Sequence, residues 1–197
     1  MFNGIQRRAE NTKYISAVDA AIKAVKMYET TTGSLLHLWP DIGEYDIKAT
    51  CLQKTADLPA LAPFGEGECW LNDNGSAITA DDAVIDRLYS GSGVGYLPTP
   101  LLPVDYIDGV VKARAAVLGV ITQADGSLDT AFVQWIPPDG GRCSQGESII
   151  PSIEELEELA ANNQGIPGTG FGPDVVRRLI ETQRTTPINA CRYVWTD

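Results

Sequence analysis

Four cysteines are the residues of this chain whose type and spacing point most directly to chemistry: Cys51, Cys69, Cys143 and Cys191. None belongs to a C-x-x-C pair and the chain has a single histidine, so the closely spaced ligand pairs of a zinc site are missing. An even number of widely spaced cysteines is typical of disulfides in an oxidising compartment. Of the three possible pairings we expect the nearest-neighbour one, Cys51 with Cys69 and Cys143 with Cys191. The alternative is four buried free thiols in a cytosolic protein.

Catalysis by a serine or cysteine nucleophile usually requires a base, and His37 is the one histidine in the sequence. Its neighbours Leu38 and Trp39 favour a half-buried histidine that packs rather than a catalytic base. The glycine-rich runs at 91–95 and 168–172 lack the G-x-x-x-x-G-K-[ST] pattern, so they predict loops rather than phosphate sites. We therefore expect a protein that is not an enzyme and that has no cofactor.

Acidic residues cluster in two places. The glutamates between positions 154 and 158 suit the first turn of a helix, where the helix dipole favours negative charge. The alternative, a secreted enzyme with a carboxylate site, would need acids that face each other across a cleft. Asp125 and Asp129 flank a turn and could bind calcium with backbone carbonyls, but they do not follow the D-x-D-x-D-G pattern, so a plain turn is preferred.

Tryptophan side chains could serve as stacking platforms for a glycan if they lay exposed on one face. The candidates are Trp39, Trp70, Trp135 and Trp195. Packing in the core is the commoner use of tryptophan, and it is the preferred interpretation here.

The composition indicates a folded protein with an acidic surface. The formal net charge is −11 and the sequence pI is near 4.5. An acidic surface repels phosphate backbones, which argues against binding of nucleic acid by the whole domain. Arg7, Arg8 and Lys13 form a local basic cluster that we interpret as a solvated helix face. No apolar run reaches the roughly 20 residues that a membrane span needs, and no signal peptide is visible.

The hydrophobic pattern predicts a long N-terminal helix over residues 5–28, because Ile15, Val18, Ile22 and Val25 recur at three- and four-residue steps. Further helices are predicted at 79–89, 153–161 and 173–184, and strands at 46–51, 110–122, 128–136 and 191–195. Thr79 is the expected N-cap of the second helix. An Asp-Gly step at 125–126 predicts a hairpin between the second and third of these strands. The predicted order of elements, with a long helix first and the strands later, indicates an α+β fold.

The N-terminal segment resembles the type IV pilins. The run Phe2-Asn3-Gly4-Ile5-Gln6-Arg7-Arg8-Ala9 is similar to the stretch that follows the membrane-spanning half-helix of that family. The continuation over residues 20–33 resembles the end of the pilin helix and its exit into the head. A weaker likeness covers 95–98 and 102–105, and Cys143 and Cys191 would bracket a C-terminal region like the disulfide-bounded region of many pilins.

The resemblance implies one head domain over residues 1–197. In it an N-terminal helix over 1–33 packs on an antiparallel β-sheet, loops and sheet occupy 34–142, and 143–197 forms a disulfide-bounded variable region with extra short helices and a closing strand. The residues expected to face the sheet are Ile15, Val18, Ile22 and Val25.

The resemblance also implies a function and partners. The chain would be a structural subunit of a surface filament that supports adhesion or twitching motility, exported to the cell surface. It would assemble with other pilin subunits and touch the membrane only through a segment upstream of this sequence. Two alternatives remain: a minor pilin or pseudopilin that binds a host surface or glycan through residues 143–191, and the carboxylate enzyme.

Overall fold

The first helix, α1, spans Phe2–Thr32 and is longer than the sequence predicts. The hydrophobic pattern predicts an end at residue 28, but the threonine run at 30–32 continues the helix, with the Thr30 hydroxyl donating to the Lys26 carbonyl at 2.8 Å. The helix ends at Gly33, whose backbone lies in the left-handed region at φ 81° and whose N–H donates to the Glu29 carbonyl. Glycine adopts that conformation without a steric penalty, so it suits a helix end.

A computed structural model describes residues 2–72, 75–96, 98, 105–107, 111–138, 141–167, 169, 171–185 and 189–195. After α1 the helices are α2 Asp82–Ser92, α3 Ile153–Ala161 and α4 Pro173–Thr185, with short 3-10 helices at Leu35–Leu38 and Thr55–Asp57. The strands are β1 Ile47–Cys51, β2 Glu68–Asn72, β3 Ala77–Thr79, β4 Asp105–Ile107, β5 Val111–Ala113, β6 Val117–Thr122, β7 Leu128–Trp135, β8 Glu147–Ser148 and β9 Cys191–Trp195.

The described strands form two antiparallel sheets. The larger has the order β1-β6-β7-β9-β8, and the smaller has the order β3-β2-β5-β4. The hairpin between β6 and β7 is the one that the Asp-Gly step predicts. The last described strand, β9, is inserted between β7 and β8 rather than added at an edge. The protein is therefore an α+β fold with a long N-terminal helix and antiparallel sheets.

One face of the five-stranded sheet, called the inner face here, is covered by α1 and α2. Alternate residues of β6 and β7 point to this face, and their partners across the strands are Leu118 with Val133 and Val120 with Ala131. These side chains belong to the same buried cluster as the apolar stripe of α1 and the residues Val84, Ile85 and Leu88 of α2. This cluster is the larger of the two cores.

A second core lies at one end of the opposite, outer face of the same sheet. Helices α3 and α4 pack there against the small sheet and against Cys51 and Val117, which end β1 and begin β6. Leu156 and Leu179 are fully buried between them. The helices predicted at 153–161 and 173–184 are thus both present, and the structure places them over the second core.

Two predictions about the middle of the chain are wrong. The single strand expected over 110–122 is two strands, β5 and β6, which belong to different sheets, and Val110 lies outside the described residues. The break falls at Arg114, which is fully buried. Thr79 is not a helix cap but the end of β3, and Asp81 caps α2 by accepting from the N–H groups of Ala83 and Val84.

Candidate functional site

Between positions 6 and 13, none of the described side chains of α1 is buried in either core. Of its described side chains from position 6 to position 13, that of Asn11 is half-buried and the others are exposed. Tyr14 is the first buried residue, and from there the helix is buried on one side as far as Tyr28. At about 1.5 Å per residue, the twelve residues before Tyr14 extend roughly 18 Å. This part of α1, residues 2–13, is called the projecting segment below.

The four residues predicted to anchor α1 lie where the helix meets the first core. Val18, Ile22 and Val25 are exposed by 1 % or less, in one cluster with side chains of β6 and β7. Ile15 is partly buried and packs against the edge of the same cluster. The stripe read from the sequence therefore marks the face of α1 that packs into the head.

A small cavity of about 290 Å³ lies where the projecting segment leaves the head. Its walls come from α1, at Thr12 and Ile15, and from the loop after β7, at Pro137 and Pro138. The basic cluster predicted nearby is only partly described: Arg8 and Lys13 are exposed, and the side chain of Arg7 lies outside the described set.

The two disulfides join Cys51 to Cys69 and Cys143 to Cys191, the nearest-neighbour pairing. The first is fully buried in the second core. The second ties the start of the 143–191 region to β9, and Asp19 of α1 secures the same segment by accepting from the Ser144 hydroxyl at 2.7 Å. Two disulfides indicate a non-reducing compartment of the extracellular kind.

A groove of about 670 Å³ opens within the disulfide-bounded region. One wall is the β8–β9 edge of the sheet, and the other is the start of α3 together with Ile166, Pro167 and Thr169. The lining mixes apolar and polar groups, among them Ile149, Ile166, Glu147, Thr169 and Arg192. Nothing in the sequence pointed to this groove, because β8 has two residues and carries no periodic pattern.

Arg192 forms part of the wall of this groove with fixed geometry. Its Nε and Nη2 atoms both donate to the Oε1 atom of Gln134, at 3.1 and 2.7 Å, and its guanidinium lies 4.8 Å from the centre of the Phe132 ring. Burial lowers the pKa of Arg192, because desolvation penalises its charged form. The groove thus has one oriented cation beside the exposed carboxylate of Glu147.

The acidic residues singled out in the sequence have structural partners. Ser152 and Glu155 form a capping box at the start of α3, and the N–H and hydroxyl of Ser152 lower the pKa of Glu155. Asp125 accepts from the N–H and the hydroxyl of Ser127 in the hairpin turn, which lowers the pKa of Asp125. Among the described residues there is no group of three or more His, Cys, Asp or Glu side chains placed to hold a metal.

The other candidates for chemistry are dispersed. His37 is exposed in the 3-10 helix rather than half-buried as expected. Gly91 lies in α2, not in a loop, and Gly168 and Gly170 lie outside the described residues, as does most of the weaker pilin-like stretch around 97–104.

The tryptophans do not form a common exposed face. Trp39, Trp70 and Trp135 are exposed by 5 % or less and belong to the two cores. Trp195 is half-buried beside Tyr193, with 4.6 Å between the ring centres. Three of the four tryptophans therefore pack in a core, as the preferred interpretation predicts.

Sequence reasoning missed a polar cluster on the other side of the molecule. The Tyr96 hydroxyl donates to the Asp57 carboxylate and accepts from the Lys54 N–H, and the Lys54 ammonium pairs with Asp86 at 2.6 Å. Burial and the neighbouring Asp57 raise the pKa of Tyr96. These contacts tie the loop after β1 to α2 and the segment that follows it.

No known protein family, curated protein or solved structure matches this chain. Within the part of the chain that the structure describes, none of the helices combines the length and the apolar character needed to cross a membrane.

Proposed function

We propose that this chain is the head of a pilin-like subunit of a surface filament, with a structural rather than a catalytic role. The observation that carries the proposal is the continuity of α1: one helix supplies the core of the head and then extends clear of it. An isolated helix of about twelve residues is only marginally stable in water, so a projecting segment gains stability when neighbours cover it. Packing among the corresponding helices of other subunits supplies that cover.

Two further features support the proposal. The antiparallel sheet lies on the buried side of α1, as the resemblance to type IV pilins implies. The disulfides suit a protein that works outside the reducing cytoplasm. In this proposal the protein reaches the cell surface by export.

The test is incorporation of the chain into filaments of the cells that produce it. Filaments sheared from the surface are purified and probed for the chain, alongside an Ala9→Asp variant of the projecting segment. The expected result is that the wild type co-purifies with filaments and that Ala9→Asp does not, because it places a charge where helices pack. The matched control is Lys23→Asp, an exposed position on the part of α1 that belongs to the head.

Two results would contradict the proposal. One is wild-type chain found only free in the medium, and the other is equal incorporation of all three proteins. Melting temperatures of the purified variants should match that of the wild type, since both positions are exposed, so a loss of incorporation reports assembly rather than folding.

A second candidate function is recognition of a surface glycan, as in a minor pilin that acts as an adhesin. The groove of about 670 Å³ favours it, because most of its lining belongs to the region between Cys143 and Cys191 and mixes polar with apolar groups. Screening against a glycan array tests it. Binding should be lost in Glu147→Ala, which changes the lining, and kept in Glu154→Ala, which removes an exposed glutamate of α3 outside it. An array without any bound glycan would remove this candidate.

A further inference from the structure

An exposed tyrosine and an exposed isoleucine lie two residues apart where β1 begins, next to the turn between β6 and β7. Tyr45 is 77 % exposed and Ile47 is 66 % exposed, more than any other large apolar side chain of the described residues. Ile47 pairs with Ile121 across β1 and β6, so these two side chains are neighbours on one face of the sheet. A single exposed apolar residue is ordinary, but a group of neighbours indicates an interaction surface.

The loop that presents Tyr45 is tied to the end of β6. The Tyr45 N–H donates to the Gln123 carbonyl at 3.1 Å, with the backbone of Tyr45 in the left-handed region at φ 49°. The buried Thr122 hydroxyl donates to the Gly43 carbonyl at 2.6 Å and accepts from the Asp46 N–H at 2.9 Å. The loop is thus bonded to its neighbour on both sides of the tyrosine, and a partner that packs on the ring loses little entropy in ordering it.

Carboxylates surround this apolar centre. The loop before β1 and the β6–β7 turn contribute Asp41, Glu44, Asp46, Asp125 and Asp129. The one basic residue within 41–48 and 123–129 is Lys48, whose Nζ atom lies 3.6 Å from Asp41 and 3.5 Å from Asp46. Five carboxylates against one ammonium group leave the region strongly negative. The apolar centre, Tyr45 with Ile47 and Ile121, and these five carboxylates are called the acid-rimmed patch below.

Charge and apolar character together indicate the partner that this patch fits. Its carboxylates attract cations and repel both phosphate backbones and a second copy of this chain, whose net charge is −11. A bare cation would leave Ile47 uncovered. A partner that carries both cationic and apolar side chains suits the rim and the centre at once. Its cations pair with the carboxylates and lie over the Tyr45 ring, and an apolar side chain covers Ile47.

We propose that the acid-rimmed patch binds a basic polypeptide segment, one in which lysine or arginine side chains alternate with apolar ones. The site is separate from the groove beside β8 and does not depend on the filament role. Ion pairs at an exposed rim are individually weak and are screened by salt. The rim therefore speeds association and makes it sensitive to salt, whereas the apolar centre distinguishes this partner from other cations.

Fluorescence anisotropy tests the proposal with the purified chain and two labelled peptides of equal length and charge, one of alternating lysine and leucine and one of alternating lysine and serine. The lysine–leucine peptide should bind at least about fivefold more tightly. Tyr45→Asn and Ile47→Ser should each weaken its binding at least about threefold. Asparagine tolerates the left-handed backbone, so Tyr45→Asn removes the ring and keeps the loop. The control, Leu61→Ser, removes a side chain that is 55 % exposed in the 52–67 loop and should bind like the wild type.

Two matched double variants separate the patch from general attraction to an acidic protein. Glu44→Gln/Asp129→Asn and Glu154→Gln/Glu158→Gln each neutralise two exposed carboxylates, in the rim and on α3 respectively. The first should weaken binding of the lysine–leucine peptide at least about threefold, and the second should leave it nearly unchanged.

Four results would overturn the proposal, whatever the outcome of the filament test. The first is a wild type that binds neither peptide. The second is equal binding of the two peptides, which would make the patch a site for cations alone. The third is equal weakening by the two double variants, which would show adhesion to acidic surface in general. The fourth is self-association of the chain that Tyr45→Asn abolishes in sedimentation equilibrium, which would assign the patch to a second copy.

Discussion

Arg114 is a charged residue whose side chain is wholly buried, and backbone carbonyls take the place of an acidic partner. Its guanidinium donates to the carbonyls of Glu68 at 2.6 Å, Pro59 at 2.5 Å and Gly65 at 2.9 Å, and lies over the Phe64 ring. Burial lowers the pKa of Arg114, because the charged form loses its hydration. The planar guanidinium, with its several N–H donors, matches the arrangement of these carbonyls. Arg114 thereby anchors the loop that the first disulfide closes.

Replacing Arg114 with methionine should lower the free energy of unfolding by at least about 3 kcal/mol, because several buried carbonyls lose a charged donor at once. Urea denaturation measures the loss. Arg114→Lys should recover only part of it, since an ammonium group cannot reproduce the planar fork. Lys112→Met, two residues earlier in β5 and only half-buried, is the control. An Arg114→Met protein as stable as the control would show that the carbonyls are satisfied in another way.

Tyr89 should make the protein sensitive to alkali. Burial raises the pKa of Tyr89 to about 12, whereas an unfolded tyrosine ionises near 10. The folded state therefore favours the neutral phenol, and the associated stability is complete below about pH 10 and lost as the pH rises towards 12. The full loss is about 2–3 kcal/mol.

Unfolding by urea at about pH 8 and about pH 11 tests this prediction by comparing wild type with Tyr89→Phe. The variant should lose less stability between the two pH values, because phenylalanine cannot ionise. Tyr28 and Tyr96 also have raised pKa values, so the dependence on pH should shrink rather than vanish. An unchanged difference between the two pH values would contradict the assignment to Tyr89.

At the level of elements, the apolar face of α1 joins the helix to the first core. Ile22→Asp should lower the melting temperature strongly, because a carboxylate at a fully buried position costs several kcal/mol. Differential scanning calorimetry measures the change. Lys23→Asp introduces the same residue one position along, where the side chain is exposed, and should change the melting temperature little. Equal melting temperatures for the two variants would rule out this placement of α1.

Elements with a strong local signal could be predicted from the sequence, and elements defined by distant partners could not. The stripe of α1, the Asp-Gly hairpin and the Ser152–Glu155 capping box all lie within short windows, so periodicity and turn chemistry find them. The division of residues 110–122 between two sheets depends on carbonyls more than forty residues away that surround Arg114. Strands as short as β3 and β8 carry no pattern of their own.

The same reasoning applies to the candidate sites. The anchoring residues Val18, Ile22 and Val25 could be found from spacing alone. The groove beside β8 could not, because it depends on which strands become neighbours.

For the molecule as a whole, the disulfides join segments that are far apart in the chain. They close loops with sequence separations of 18 and 48 residues. In the chain-entropy description, removing them should lower the free energy of unfolding by about 3 and about 4 kcal/mol respectively. Urea denaturation of Cys51→Ser/Cys69→Ser and Cys143→Ser/Cys191→Ser measures the two losses. Peptide mapping without reductant should recover the linked peptides 51–69 and 143–191, and four free thiols would contradict the pairing.

The position of β9 has a consequence for how the protein reaches its final form. This strand lies between β7 and β8, although it follows both in the chain, and its Cys191 completes the first core. A chain that emerges from a ribosome or an export channel with its N-terminus first can form α1 early. It cannot complete the five-stranded sheet until residues 191–195 have also emerged. Contacts over such separations form slowly. The edge of β7 that pairs with β9 thus stays open to chaperones and to proteases until residues 191–195 have emerged.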